Sequence, residues 1–540
     1  MTIRIDRRSF VMTGTLGLGA FAIPGFAQSP NVAGARGFTH AVASGEPGAD
    51  SMLLWTRYVP ATGDAATLRV DLSESADFVK TIAGGAQTTG PWRDWTAKIT
   101  VDGLKPATTY YYRFVAPDGS FSPVGRTRTL PQGDATAFRI GIFSCSNLPF
   151  GYFNAYAHAA VSDIDLAVHL GDYFYEYASG NYPAAQDVVD MRLPAPVGEL
   201  LQLADYRLRY ASYRSDPDLQ KLHQLVPMIV QWDDHESAND SWEGGAENHG
   251  ADEGDWNIRR AAAIQAYREW MPVSDAPWKA YQIGTLATLF RTETRLLARS
   301  RQPELRSLML RPDAKAALIA FRDGPWQDPA ATMMGTQQES WLAHAMRASV
   351  AGGTRWQVVG FGTILGETRL PEAATGWIDA NASLRAQAYI KAGLLASSVG
   401  LPFNFDNWGG YPAARRRFLA SAQAAGANLV VISGDSHNGW AYDLAHQGRA
   451  AGVEFAGQGV TSPGIESGVT RDPREVAAAI VAANPELKWC DTARRGYMRL
   501  QITPGEVRNE WLFADTIKQR SMAFASGHSA VVKRGRNVIG

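Results

Sequence analysis

The chain has 540 residues, of which 45% are hydrophobic and 19% charged, and this balance excludes a disordered chain. The length exceeds that of one ordinary domain, so two or more domains are expected. A formal net charge of −1 excludes the basic footprint of a nucleic-acid-binding protein. The two cysteines, Cys145 and Cys490, exclude a disulfide scaffold.

Residues 1–27 have the pattern of a twin-arginine signal peptide. Arg7 and Arg8 precede a weakly apolar, glycine-rich stretch, and small residues favour cleavage after Ala27. The alternative is a chance basic helix. The signal predicts a partnership with the twin-arginine export machinery and a periplasmic or secreted protein, and this route often carries proteins with a cofactor already inserted. No other run approaches the roughly 18 apolar residues of a membrane helix, so no transmembrane segment is expected in the mature chain.

Residues 36–130 are predicted to form an N-terminal β-sandwich domain. Short runs of strand-forming residues alternate with Gly, Pro and Asp turns. The segment from Leu104 to Tyr110 resembles the Leu-x-Pro-x-Thr-x-Tyr corner of fibronectin type III domains. It predicts an immunoglobulin- or fibronectin III-like sandwich without catalytic residues of its own. Residues 130–134 are read as a linker.

From residue 138 the pattern changes to α/β, which predicts one large catalytic domain over residues 135–515. Strands are predicted at 138–143, 164–170, 228–232, 356–361 and 428–433. Helices are predicted at about 155–160, 204–224, 255–270, 337–349 and 413–424. A pair of strands at 497–502 and 507–513 would close the domain, and residues 516–540 would form a C-terminal tail or closing helix.

Four of the predicted strands end in residue types that bind metals or transfer protons. One such end is ordinary, because a turn can contain an Asp and a buried His is more often core than ligand. Four in one α/β domain predict a shared site, since ligands bind at the carboxyl ends of strands in such sheets. The residues concerned are Cys145 after the first strand, Asp172 and Tyr175 after the second, Asp234 and His235 after the third, and Asp435 and His437 after the strand at 428–433.

These residue types suit the hydrolysis of a phosphate ester. Two metal ions can neutralise the phosphoryl oxygens and activate water, and they require a bridging carboxylate, for which Asp172 is the candidate. The Cys145 thiolate and the Tyr175 phenolate would hold a ferric ion. His235, next to Asp234 in the sequence, could protonate the leaving alkoxide. The predicted reaction is in-line attack of a metal-bound hydroxide on phosphorus.

The motifs together resemble those of the PhoD-type alkaline phosphatase family, which is related to purple acid phosphatases and other calcineurin-like metallophosphoesterases. The resemblance covers roughly residues 38–515. Its main motifs are the stretches 38–47, 145–147, 169–176, 232–236, 335–342, 434–437, 453–455 and 495–497.

The resemblance implies a four-layer αββα catalytic domain after the sandwich, with ferric iron (Fe3+) and calcium (Ca2+) in the site. Cys145, Asp172 and Tyr175 would bind iron, and Asp172 would bridge to calcium. Asp234, Asp435 and His437 would complete the metal shell, His235 would act on the leaving group, and Asn147 and Asn239 are second-rank contacts to metal or phosphate.

Several positions depart from the family pattern and leave the choice of substrate open. Glu293 stands where the family usually has Asp, Trp408 lacks the usual following Asp, Glu486 replaces a frequent His, and Asn239–Asp240 replaces an Asn pair. A weaker prediction concerns Arg207, on a predicted helix, where a guanidinium could pair with phosphate. The alternative for Arg207 is a solvated helix face.

The predicted function is a secreted metal-dependent phosphatase acting on phosphate mono- or diesters. An iron-dependent phospholipase D-like phosphodiesterase, acting on a phospholipid or another phosphodiester, shares the same motifs and is the main alternative. A non-catalytic envelope protein that uses the sandwich for adhesion is a third possibility.

Overall fold

The computed structural model describes residues 34–378 and 384–540, so the predicted signal peptide lies outside the described residues. The described chain forms three sheets and the helices that cover them. None of the described helices is long and apolar enough to cross a membrane.

Seven strands precede the α/β region. They are β1 (Gly37–Gly45), β2 (Ser51–Val59), β3 (Ala66–Ser73), β4 (Ala83–Thr89), β5 (Thr96–Asp102), β6 (Thr109–Val115) and β7 (Gly125–Arg128). Strands β4-β3-β6-β7 form one antiparallel sheet. Buried side chains of this sheet, such as Val70 and Tyr112, share one hydrophobic core with Leu54 and Ile99 of β2 and β5. In β3, buried and exposed residues largely alternate, as a strand with one buried face requires.

The α/β region contributes thirteen strands. They are β8 (Phe138–Phe143), β9 (Leu166–His169), β10 (Met228–Val230), β11 (Lys279–Ile283), β12 (Ala287–Arg291), β13 (Trp356–Phe361), β14 (Leu429–Ser433), β15 (Gly439–His446), β16 (Arg449–Ala456), β17 (Leu487–Asp491), β18 (Gly496–Ile502), β19 (Glu506–Ala514) and β20 (Phe524–Lys533). One sheet has the order β20-β19-β18-β8-β9-β10-β1-β2-β5, and the other β11-β12-β13-β14-β16-β15-β17. The N-terminal strands therefore continue a sheet of the α/β region, through a parallel pairing of Gly45 in β1 with Met228 in β10.

The helices lie outside the two larger sheets. They are α1 (Asn154–Ala160), α2 (Leu203–Arg214), α3 (Pro217–Leu225), α4 (Trp256–Trp270), α5 (Arg306–Met309), α6 (Ala314–Asp323), α7 (Gly335–Ala351), α8 (Leu384–Ser398), α9 (Pro412–Ala425) and α10 (Pro473–Ala483). Side chains from both sheets, including Ile142, Val168, Val358 and Ile432, share one central core. Helices α1–α4 contribute to a second core, and α7, α9 and α10 to a third.

Most of the predicted strands and helices are present, strands β11, β12 and β15–β17 were not predicted, and two predicted segments differ. The predicted helix at 204–224 is divided into α2 and α3, because Pro217 begins a new helix and the Asp216 carboxylate caps it by accepting from the backbone N–H of Asp218 at 2.9 Å. The predicted tail or closing helix at 516–540 is wrong. Residues 524–533 form β20, which pairs with β19 along its length and buries Ala530 and Val532 against the central core.

The topology brings the predicted ligands together. Strands β8, β9 and β10 are mutually parallel, and β13 and β14 run parallel in the facing sheet. Parallel strands carry their C-terminal loops to the same edge of a sheet. The loops after β8, β9, β10 and β14 thereby meet between the two sheets.

Candidate metal centre

The backbone turns sharply at several predicted ligands. Cys145, Asp172, Asp435 and His437 have φ values of +59°, +54°, +65° and +60°. Such left-handed conformations cost an L-residue roughly 1–2 kcal/mol each, so the surrounding structure must impose them. The turns direct four side chains from three different loops into one space.

Two features hold the loops after β9 and β10 against each other. Gly171 has a φ of +112°, and a Cβ at this position would lie 2.5 Å from the backbone nitrogen of Asp233. The buried Glu236 carboxylate accepts hydrogen bonds from the backbone N–H groups of Asp172, at 3.1 Å, and Asp233, at 2.7 Å. Glycine and glutamate therefore act here as structural residues that set the position of Asp172.

One group of donors combines sulfur, nitrogen and oxygen. Ligand atoms of Cys145, Asp172 and His437 all lie within 4.8 Å of one another. The Tyr175 hydroxyl donates to Asp172 Oδ2 at 3.3 Å and lies 3.0 Å from His437 Nε2. A thiol, a phenol, an imidazole and a carboxylate converge on one point.

A second group consists mainly of oxygen donors and shares Asp172 with the first. Asp172, Asp233, Asp234 and Asp435 offer carboxylate oxygens within 4.8 Å of one another, as do Asp172 and Asp234 with a ring nitrogen of His235. Asp172 is thus the residue common to both groups. A carboxylate between two donor sets can bridge two cations.

Unpaired oxygens support binding of cations at this place. Asp172 Oδ1 and Asp234 Oδ1 are buried and accept no hydrogen bond from the described part of the chain. Burial and neighbouring carboxylates raise the pKa of Asp172 and of Asp435 well above the usual range of an aspartate. Burial would also raise the pKa of Asp234, but Arg295 and His235 hold it below its ordinary value. A cation would stabilise the ionised carboxylates and satisfy their free oxygens, so the donor set fits a metal centre.

The thiol and the phenol show the same requirement for positive charge. Burial, together with the nearby Asp172 carboxylate, raises the pKa of Cys145 and of Tyr175 well above their ordinary values. Either group would ionise here only beside a cation. These two residues fit a metal that prefers anionic sulfur and oxygen ligands.

The orientation of His437 is fixed from outside the cluster. Its Nδ1 lies 2.7 Å from the carbonyl oxygen of Pro463, so Nδ1 carries the proton and donates it to that carbonyl. The lone pair of Nε2 then faces Tyr175 and Asp172, as is usual for metal-binding histidines. Burial lowers the pKa of His437 to about 3, which keeps the ring neutral.

His235 is oriented by a hydrogen bond to Glu176, a residue far from it in the sequence. Its Nδ1 lies 2.7 Å from Oε2 of the fully buried Glu176. The other oxygen of Glu176 accepts from the backbone N–H of Asn239 at 2.7 Å and from Asn248 Nδ2 at 3.0 Å. Burial alone would lower the pKa of His235, but Asp234, Glu176 and Asp172 raise it well above the usual value. Asp234, the neighbour in sequence, contributes its charge, whereas the hydrogen bond goes to Glu176.

An arginine that the sequence did not indicate contacts the acidic group, which is defined here as Asp172, Asp233, Asp234 and Asp435. Arg295 is fully buried and donates from Nε and Nη2 to Asp233, at 2.7 and 2.9 Å, and from Nη1 to Asp406 at 2.7 Å. Its Nη2 also lies 3.6 Å from Asp234 Oδ1. A positive charge here offsets part of the carboxylate repulsion. Arg295 follows Glu293, one of the departures from the family pattern, by two positions, and this nearness was the available signal in the sequence.

Comparison with known proteins identifies the family of the chain. A family model described as PhoD-like phosphatase matches residues 140–511, and the model of the N-terminal domain of the same family matches residues 25–131. The chain belongs to the PhoD-like phosphatase family. The predicted family resemblance is confirmed, and every ligand discussed above lies in the larger match.

Individual members agree with this assignment. The chain is 29% identical to alkaline phosphatase D of Bacillus subtilis (strain 168), over 98% of this chain and 88% of that protein. The solved structure of PhoD has a TM-score of 0.74 and 27% identity, with 96% and 93% of the two chains covered. A purple acid phosphatase from yellow lupin (Lupinus luteus) seeds is 12% identical, with a TM-score of 0.56 and coverage of 92% and 75%. That last likeness concerns the fold, and it supports the predicted mixed α/β class.

The weaker predictions of PhoD-like site residues have different outcomes. Asn147 is buried, and its Nδ2 lacks a hydrogen-bond partner among the described residues, so it can still contact a ligand. Asn239 donates from Nδ2 to Glu247 at 3.1 Å, at the rim of the site. Arg207 does not lie among the predicted metal ligands. Its guanidinium makes two 2.6 Å hydrogen bonds to Glu269 of α4, because α2 and α4 pack side by side.

Two departures from the family pattern have structural explanations. Glu293 accepts from the indole of Trp232 at 2.9 Å and from the backbone N–H of Arg295 at 2.8 Å, so it fixes the loop that carries the buried arginine. Glu486 pairs with Arg415 at 2.6 Å. Both carboxylates are engaged within the protein.

Proposed function

We propose that this protein is an exported, metal-dependent phosphatase that hydrolyses phosphate mono- or diesters. The observation that carries the proposal is the position of Asp172, whose carboxylate belongs both to the Cys145–His437 group and to the acidic group. Membership of the PhoD-like phosphatase family supports the reaction class. The buried, unpaired carboxylate oxygens support the dependence on metal.

We assign ferric iron to Cys145, Asp172 and Tyr175, since the sulfur of a thiolate and the oxygen of a phenolate suit this ion. Calcium is assigned to the acidic group, with Asp172 as the shared ligand and Asp234 and Asp435 completing its shell. His437 completes the metal shell on the side of Cys145. When bound, the ions would supply charge for the phosphoryl oxygens and activate a water molecule.

The protein's own residues then have separate tasks. His235, oriented by Glu176, is placed to give its Nε2 proton to the departing alkoxide. Asp234 remains ionised beside Arg295 and is an anionic ligand of the acidic group. Asn147 offers an unused amide N–H to a phosphoryl oxygen. Burial of the site strengthens each of these interactions, because water does not screen them.

Three further assignments accompany this function. The helices on the outer side of each larger sheet support a four-layer αββα domain, and the core between β3-β6 and β2-β5 supports an immunoglobulin-like sandwich. The arginine pair at residues 7–8 supports export by the twin-arginine route to the periplasm or beyond.

The iron assignment predicts a coloured protein. A phenolate on ferric iron gives a charge-transfer band in visible light, so the natively exported protein should absorb there and Tyr175→Phe should abolish the band. Absorption spectra and elemental analysis of both proteins are the measurement. A colourless native protein that holds only zinc would contradict the assignment.

Substrate class is tested separately. Rates on a soluble phosphomonoester, a phosphodiester and a phospholipid distinguish a general phosphatase from the phospholipase D-like alternative. Preference for the phospholipid alone would favour that alternative, and the absence of turnover on all three by metal-loaded protein would overturn the proposed function.

A further inference from the structure

A large groove lies between the N-terminal strands and helix α4, apart from the metal centre. Its cavity volume is about 980 Å³, which is at the upper end of the range for small-ligand sites. One wall carries Trp92, Arg93 and Lys98, and the other carries residues of α4, among them Arg260 and Arg268. None of the described lining residues belongs to the metal centre.

Three cations of this groove form no direct ion pair. Arg93, Lys98 and Arg260 form no ion pair with any carboxylate in residues 34–378 and 384–540. Lys98 Nζ donates to the carbonyl oxygen of Val273 at 2.6 Å, and Arg260 donates to backbone carbonyls and to an amide. Arg93 Nε is buried without a hydrogen-bond partner in the described chain. Such cations favour an anionic ligand, because burial without a counter-charge costs free energy.

The acidic residues of the lining do not cancel this excess. Glu269 is held by two hydrogen bonds from Arg207 and by one from Gln265 at 2.9 Å. Asp275 lies 3.8 Å from Arg268 and is largely exposed. Glu269 and Asp275 attract Arg93 from a distance but are engaged by other side chains, and Glu243 is the one other carboxylate among the described lining residues.

The arrangement suits an extended ligand better than a single ion. Arg260 and Arg268 are eight residues apart on α4, which places them ~12 Å apart along the helix axis on one face. Ile264 lies between them in the lining. Arg93 and Lys98 line the groove on the side of the N-terminal strands, so positive charge lies on both of its walls. Trp92 adds an aromatic surface, 58% exposed, at its edge.

We propose that this groove binds an extended polyanion, a chain with repeated phosphate or sulfate groups, as a ligand site separate from the metal centre. Arg93, Lys98 and Arg260 contact the anionic groups of the ligand, and Trp92 packs against the backbone of the polyanion. The proposal does not depend on the hydrolytic activity, since binding requires none of the metal ligands.

Binding of dextran sulfate to the metal-loaded full chain tests the proposal, because this polymer contains no phosphate ester. Neutral dextran is the control polymer, and inorganic polyphosphate and inorganic phosphate are the further probes. The variant carries Lys98→Gln with Arg260→Gln. The matched control carries Lys80→Gln with Arg534→Gln, which removes two exposed cations outside the groove lining.

The groove variant should bind dextran sulfate at least about tenfold more weakly, a loss of ~1.4 kcal/mol, while the control variant binds as the native chain does. Turnover of a small phosphomonoester should be unchanged in both. Binding of both polyanions supports recognition of charge, and binding of polyphosphate alone supports recognition of phosphate. Equal losses in the two variants, or affinity for neutral dextran as high as for dextran sulfate, would overturn the proposal.

If the double substitution impairs folding, Trp92→Ala provides the second variant. Its side chain is exposed, so removal leaves the core intact. Weaker binding of dextran sulfate with an unchanged melting temperature is expected, and unchanged affinity in this variant and in Lys98→Gln alone would refute the assignment of the groove.

Discussion

At the scale of single residues, the site depends on partners distant in sequence. His235 is oriented by Glu176, 59 positions away, and His437 by the carbonyl of Pro463. The ligand types after each strand could be predicted because they follow apolar runs directly. Their hydrogen-bond partners could not, because the loops meet only when the sheets form. Asp234, adjacent in sequence, raises the pKa of His235 through its charge, but His235 forms its hydrogen bond with Glu176.

Glu176→Gln should reduce turnover while leaving substrate affinity largely unchanged. The amide still fills the space but stabilises a protonated His235 less well. General acid catalysis raises the reaction rate roughly 10²–10⁴-fold, so a weaker acid slows turnover. We expect kcat to fall between tenfold and a thousandfold, and less than in His235→Ala. Steady-state kinetics on a substrate with a poor leaving group measure this effect.

The control for this kinetic prediction is the metal content of the two variants. Both the Glu176→Gln and His235→Ala proteins should retain the metals of the native protein, since neither change removes a proposed ligand of iron or calcium. Native turnover in His235→Ala would show that this residue does not act on the leaving group.

At the scale of elements, the loops after β9 and β10 depend on one glycine. Gly171→Ala adds a Cβ in a left-handed conformation and close to the backbone of Asp233. A strained φ costs about 1–2 kcal/mol, and overpacking adds about 1–3 kcal/mol. We expect the free energy of unfolding to fall by at least about 2 kcal/mol, as measured by urea denaturation, together with loss of metal.

Gly426→Ala is the control for that change. Gly426 ends α9 with a φ of +66°, but no atom lies within 4 Å of an added Cβ. Its substitution should cost about 1 kcal/mol and leave metal content unchanged. If the two variants lose stability equally, close packing at Gly171 is not the cause.

The secondary structure shows which patterns are readable from sequence. Strands such as β8 and β14 were predicted because their runs are mostly apolar and buried, with Arg139 as the one charged residue of β8. β20 was missed because its sequence is rich in small and polar residues, although it pairs with β19 along its length. Arg295 was missed because its role appears only when the loops after β10 and β12 come together.

At the scale of the whole molecule, the N-terminal strands and the α/β region are joined more closely than a linker predicts. β1 continues the larger sheet, and Glu46 at its end lies between the two larger sheets. Its buried carboxylate pairs with Arg291 of β12 at 2.9 Å and with Lys279 of β11 at 2.8 Å. This ion pair ties three parts of the fold together.

The Glu46 ion pair gives a pH dependence of stability. Burial would raise the pKa of Glu46, but Arg291 and Lys279 hold it below the ordinary value of 4.5. Because the folded pKa lies below the unfolded one, the contribution is complete above about pH 4.5 and is lost as the pH falls through the folded pKa. Glu46→Gln should therefore lower the free energy of unfolding by roughly 3 kcal/mol at pH 7. Urea denaturation at several pH values should show this difference shrinking below pH 4.5, and a constant difference would contradict the assignment.

The central claim is that Asp172 unites two metal sites that carry out phosphate hydrolysis. Metal content and turnover of natively exported Asp172→Ala, measured beside the native chain, test it most directly. We predict iron and calcium in the native chain, loss of both in the variant, and a fall in phosphomonoester turnover of at least about a thousandfold, ~4 kcal/mol in activation free energy. A variant that keeps full metal content or native turnover would contradict the account.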